Sequence, residues 1–189
     1  PIGETSTKKA EQIKQRFHDY MAPLKEENAF GSFIFYWGHK NEITPTWYSM
    51  FTGQKMKTQG VFEMEKIWNN NTRAIFPGPE LGYILLNDKG AADNIIMAPG
   101  KMGHIEVKLP ENKNQNLEYK WEIRKESWNA YHISETVNVG EFQIKGNYAE
   151  FYAPNEEGPY RAFLYLTNGT GYIATANIPF YVLNPRNGE

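Results

Sequence analysis

The sequence predicts an α+β protein in which a helix–strand–helix segment precedes an all-β sandwich, and three observations predict it. Two stretches with helical apolar spacing bracket an unbroken apolar block in the first seventy or so residues. Beyond a Pro- and Gly-dense passage the helical period disappears. There, short strand-like runs follow one another, divided by turn residues. The boundaries read as 1–71 for the first segment, 72–80 for a linker and 81–189 for the sandwich.

From Thr7 to Met21, Ala10, Ile13, Phe17, Tyr20 and Met21 recur three and four residues apart among Lys, Glu and Gln, the pattern of an amphipathic helix. Ser6 or Thr7 suits its N-cap, and Pro23 kinks or ends it near its C-terminus. Ser32–Trp37, "SFIFYW", shows no alternation and reads as a strand covered on both faces; a short buried helix fits the run less well, given its aromatic content. Val61, Met64, Ile67 and Trp68 mark a second helix that stops at the run Asn69-Asn70-Asn71.

After "TRAIFPGPELG" come "GYILLN", "DNIIMAP", "GHIEVKL", "LEYKWEIR", "EFQIKG", "YAEFYAP", "YRAFLYLT" and "YIATANIPFYVL". In "EYKWEIR" alternation sets Tyr119, Trp121 and Ile123 against Lys120, Glu122 and Arg124, so Trp121 belongs at the buried centre of its sheet. The last two long strands are joined by a Gly-rich turn from Asn168 to Gly171. Tyr160 stands where sandwiches place a tyrosine that hydrogen-bonds across a corner. Tyr160, Ala162, Leu164 and Leu166 share one face, which leaves Arg161, Phe163 and Tyr165 outward, either as a glycan platform or as the surface that covers the helical segment.

A net charge of −2 with scattered Lys and Arg gives no basic stripe, so nucleic acid is not an expected partner. No apolar run has the roughly 18 residues of a membrane span. Without cysteine there is neither a disulfide framework nor a thiolate nucleophile or ligand. His18, His39, His104 and His132 are dispersed, and no phosphate loop, G-x-S-x-G or dinucleotide fingerprint occurs, so no metal and no cofactor is expected. The chain opens on Pro1 with no charged-then-apolar leader, which reads as the product of processing or of cloning.

Gly31–Phe51, "GSFIFYWGHKNEITPTWYSMF", and the helix ending in Ile67-Trp68 resemble the last strand-and-helix unit of a family-two-like glycoside-hydrolase TIM barrel of the kind common in Bacteroidetes. "DNIIMAPG", "LEYKWEI" and "EEGPYRAFLYLTNGTGYIATANIPFYV" resemble the immunoglobulin-like module attached after such a barrel. The loop "ENKNQN" departs from the acidic pattern of related modules, which argues against calcium there. A closed barrel needs about 200 residues, so the resemblance implies either the end of a barrel without most of its strands or a naturally truncated relative whose αβα piece packs on the sandwich.

The resemblance implies a secreted, periplasmic or cell-surface protein acting on carbohydrate. It places Trp37 at the active-site end of a barrel strand, as a stacking platform for a sugar, with His39, Lys40 and Glu42 following as hydrogen-bonding groups. Read without it, Trp37 is the last core residue of a strand and the other three form a solvated turn. Trp47, in "TPTWY", anchors the loop or contacts sugar. Glu42 lacks the second carboxyl group that glycoside hydrolysis requires, so no residue of this chain is assigned as catalytic, and the chain alone is expected to be inactive. The alternatives are a glycan-binding module using Trp128, Tyr131, Phe163 and Tyr165, and a plain spacer. A buried strand must be covered, by the sandwich or by a second copy of the chain in a homo-oligomer.

Overall fold

The hydroxyls of Thr5, Ser6 and Thr7 show how the two parts of this molecule are joined. In the computed structural model, which describes residues 2–27, 31–40, 42–71, 73–110, 116–126, 136–137 and 139–184, they begin helix α1, Ser6–Arg16. Thr5 is the N-cap and its Oγ1 accepts from Lys8 N at 3.2 Å, the usual use of a threonine there. The same hydroxyl donates to Leu81 O, Thr7 Oγ1 accepts from Leu81 N at 3.0 Å, and Ser6 Oγ accepts from the amide of Thr175 at 2.8 Å. A helix start whose capping groups also satisfy buried backbone elsewhere cannot be displaced without orphaning those groups.

Helix α1 ends earlier than its apolar spacing predicts. At Phe17 the chain widens into a π-turn, Phe17–Met21, and then tightens into 3₁₀ turns over Ala22–Glu27, where Pro23 sits. Tyr20, expected on the buried face, is exposed. Helix α2, Gln59–Trp68, forms where Val61, Met64 and Ile67 place it. It packs on α1 through Met50, Val61 and Met64, with Ile13, Ile34, Phe51 and Ile67 around them. Gly60 lies at the closest approach: a Cβ there would come within 3.2 Å of Met50 Cε and 3.3 Å of Ile13 Cδ1.

No strand forms over Ser32–Trp37, which corrects the expected αβα order. The segment has no ladder partner, and Phe33 and Phe35 are 95% and 77% exposed, while Ile34 packs against the small cluster under α2. A strand is stable only where its backbone groups find partners. The two helices offer none, and these residues join neither sheet.

All eight expected runs past residue 81 become strands. They are β1 Tyr83–Leu86, β2 Ile96–Met97, β3 Met102–Lys108, β4 Glu118–Lys125, β6 Gln143–Lys145, β7 Tyr148–Tyr152, β8 Gly158–Thr167 and β9 Ile173–Val182; a short β5, Thr136–Val137, is added. The first sheet has the order β1-β3-β7-β6 and the second β2-β9-β8-β4-β5. Every pairing is antiparallel except β2 with β9. The inward residues meet in one core that includes Leu86, Ile105, Trp121, Phe151, Leu164 and Ile178. The β8–β9 hairpin turns through Gly169 and Gly171, at φ 77° and 82°, backbone geometry that glycine adopts without strain.

The outer face of the second sheet is covered. Arg161 and Phe163 point away from the core between the sheets yet are 1% and 2% exposed. Asn177, cross-strand from Phe163, is buried and its Nδ2 donates to Thr46 Oγ1 at 3.4 Å, while Ser6 holds Thr175 one register step away. The passage between α2 and β1 packs as well: Phe76 meets Phe62 of α2 and Tyr172 of the hairpin at ring-centroid distances of 5.3 and 5.1 Å.

Candidate functional site

The segment from Gly38 to Phe51 is a closed loop. Its ends are tied where Gly38 O accepts from the amides of Met50 and Phe51 at 3.0 and 3.2 Å. Inside it Ser49 Oγ accepts from Lys40 N at 3.1 Å and donates its one proton to Pro45 O at 2.8 Å, with Lys40 O at 3.2 Å as the alternative acceptor, so the hydroxyl ties Lys40 to Pro45. After a turn over Thr52–Met56, Lys57 forms bridges with both Phe51 and Tyr172, and its carbonyl accepts from Ile173 N at 2.9 Å. The loop is thereby docked to the start of β9 and held over the outer sheet face.

The five residues singled out from sequence surround this loop rather than converge. Trp37, 45% exposed, meets Phe51 at 5.3 Å and Trp68, 50% exposed, at 5.2 Å. Lys40 and Glu42 form an ion pair, and the Lys40 ammonium lies 5.6 Å from the Phe35 ring and 6.0 Å from that of Tyr48. His39 turns the other way and lines a groove between the loop and the sheet. Trp47 lines a recess on the α1 side with Tyr36, Tyr48 and Phe35. Phe163 offers no platform, because it is buried. Trp128, Tyr131, His132 and residues 111–115 lie outside the described residues.

The groove has a volume of about 520 Å³. Its floor is the polar side of β4, Glu118, Lys120, Glu122 and Arg124, with Tyr165 beside them, and its roof includes His39 and Gln54. Glu122 accepts from Arg124 Nη2 at 2.7 Å through one oxygen and pairs with Lys120 Nζ at 3.0 Å through the other. Burial pushes the Glu122 carboxyl up, but those hydrogen bonds outweigh it and hold the group below the usual carboxylate range. Burial pushes the Tyr165 phenol up to about 12, so its hydroxyl stays protonated at neutral pH.

The recess is closed by Lys9, whose Nζ donates to Thr46 O at 2.6 Å and Trp47 O at 2.9 Å and lies 5.9 Å from the Trp47 ring. Burial lowers its pKa to about 8, against a weaker opposing pull from Glu4. Because the folded value lies below the unfolded one of 10.5, the unfolded chain binds the extra proton in between, and stability rises as pH climbs from about 8 to about 10.5. Urea midpoints for the wild type and Lys9→Met should therefore diverge in favour of the wild type across that window; parallel curves would place the ammonium in water.

Trp68 is the partner that sequence reasoning assigned only to a helix face, although its place at the end of α2 beside the Asn run signals a solvent-facing aromatic. Among the described residues no cluster of three metal-binding side chains occurs, and no helix is long and apolar enough to cross a membrane. Neither the search against protein-family models nor the search of curated proteins finds a match for this chain.

Proposed function

We propose that this chain is the non-catalytic C-terminal portion of a secreted, glycoside-hydrolase-like protein, with residues 1–71 as the end of a (β/α)₈ barrel and 81–189 as an immunoglobulin-like accessory domain. The strand orders support the second part: β1-β3-β7-β6 and β9-β8-β4 run as the A-B-E-D and G-F-C strands of such sandwiches do. Tyr160 Oη donates to Glu156 O at 2.9 Å, in the manner of a tyrosine corner, and Trp121 is buried on the C-equivalent strand. The first part is supported by the two packed helices and by an uncovered apolar stretch, Phe33 to Trp37, of the composition that a barrel interior would hide.

The observation that carries the carbohydrate reading is the Trp37–Trp68 pair, two half-exposed indoles with ring centroids 5.2 Å apart; the Lys40–Glu42 pair on the loop that follows lies against Phe35 and Tyr48. Flat, half-exposed indoles bind the apolar face of a sugar ring while keeping one side wet. Glu42 is held by Lys40, which suits contact with substrate rather than proton transfer. Electrophoresis through gels containing neutral polysaccharides should show retardation that falls about tenfold in affinity for Trp37→Ala or Trp68→Ala, equivalent to about 1.4 kcal/mol. Neither the wild type nor Glu42→Gln should turn over aryl glycosides. Retardation unchanged in both tryptophan variants would remove the platform, and activity lost in Glu42→Gln would make that residue catalytic.

A further inference from the structure

The groove over β4 goes beyond that reading, since neither Trp37 nor Trp68 lines it. We propose that it is a second binding site, built for one residue of a neutral, polyhydroxylated ligand. Three properties of its walls select that chemistry. The floor carries Glu118 and Glu122 against Lys120 and Arg124, so a ligand of either charge would meet a repelling group beside each attracting one. Lys120, Glu122 and Arg124 satisfy one another within 3.0 Å, so a wholly apolar ligand would strip water from three charged groups, while Phe51, Met56 and Ile173 in the wall can take the apolar face of a ring whose hydroxyls meet the charges. A hydroxyl both donates and accepts, so vicinal hydroxyls can donate to the Glu122 carboxylate while accepting from Lys120 or Arg124 without breaking the pairs.

The position of Tyr165 completes the site. Its phenol stays protonated, so its hydroxyl can donate to a ligand, and it lines the groove beside Glu122 and Arg124. Lys120 lies 5.9 Å from its ring, so donor, ring and ammonium converge on one end of the groove. The loop supplies His39, Thr46 and Ser49 to the walls, and the Thr52–Met56 turn supplies Gln54. At about 520 Å³ the space suits a sugar residue rather than a folded partner.

The test is amide and indole chemical-shift mapping of the full chain titrated with cellotriose, mannotriose and xylotriose, and with trigalacturonate as the charged counterpart. At least one neutral trisaccharide should shift the amides of Lys120, Glu122, Tyr165 and Gln54. Glu122→Gln should weaken that binding about tenfold and Tyr165→Phe about fivefold, in line with lost charge-assisted and neutral hydrogen bonds, while Lys145→Ala, exposed on the other sheet, leaves it unchanged. The same spectra report whether each variant is folded, and Tyr165→Phe removes a single oxygen. Shifts confined to the Trp37 and Trp68 indoles would overturn the groove site while sparing the aromatic surface. An absence of groove shifts with every neutral probe, or tighter binding of trigalacturonate, would also overturn it.

Discussion

Replacing Arg161 by alanine is expected to destabilise the protein by about 3–5 kcal/mol, the cost of stranding the partners of a buried charge. Arg161 is the largest fully buried side chain of the outer sheet face. Its Nε pairs with Glu126, and its Nη1 donates to Asn177 Oδ1 at 2.6 Å. Asn177 in turn donates to Thr46 of the loop, so the guanidinium lies at the root of a polar chain from sheet to loop. Without it Asn177 loses an acceptor's partner in a dry place and Glu126 is left without this cation. Arg161→Lys keeps the charge but not the planar fork, and should recover only part of the loss. Urea denaturation monitored by tryptophan fluorescence checks this as a midpoint shift at constant m-value. A loss below about 1 kcal/mol in the alanine variant would mean that water replaces the guanidinium, and that the layer over the sheet is loosely held.

Trp121→Ala should cost a similar amount, about 3–5 kcal/mol, through a different mechanism. The indole is 8% exposed, faces Leu164 across the β4–β8 ladder and stacks on Phe142 at 6.0 Å with an interplanar angle of 19°. Phe142 continues to Phe151, so removing the indole opens a cavity where the two sheets meet. Trp121→Phe preserves the stack and should lose under about 1.5 kcal/mol. The neighbours of Trp121 on the strand, Lys120 and Glu122, face the groove, which makes the core residue a support for the proposed site. Amide exchange on β4 in the alanine variant should rise in parallel with the loss of global stability. Accelerated exchange restricted to α1 and α2 would show instead that the helical layer, not the sandwich core, depends on this residue.

Local chemistry determined most of the sandwich. Alternation in β4 and β8 put Trp121 and Leu164 inward, Gly169 and Gly171 made the hairpin, and the 3.6-residue spacing of Val61, Met64 and Ile67 made α2. Each of these signals is complete within about ten residues, because the inward face of a strand or helix is a property of its own period. The tertiary structure decided what depends on a partner. Ser32–Trp37 has the composition of a buried strand but joins neither sheet, and Phe33 and Phe35 stand at the surface. Arg161 and Phe163 alternate as outward residues and are buried all the same, because Thr46 and the capping hydroxyls of α1 bring a second layer onto that face. The polar side of β4 reads as a solvated face until the Gly38–Phe51 loop, some seventy positions earlier, roofs it into a groove. Periodicity records which side of an element faces away from its own core. What then comes to rest on that side is set by hydrogen bonds between residues as far apart as Ser6 and Thr175, and no local pattern encodes those.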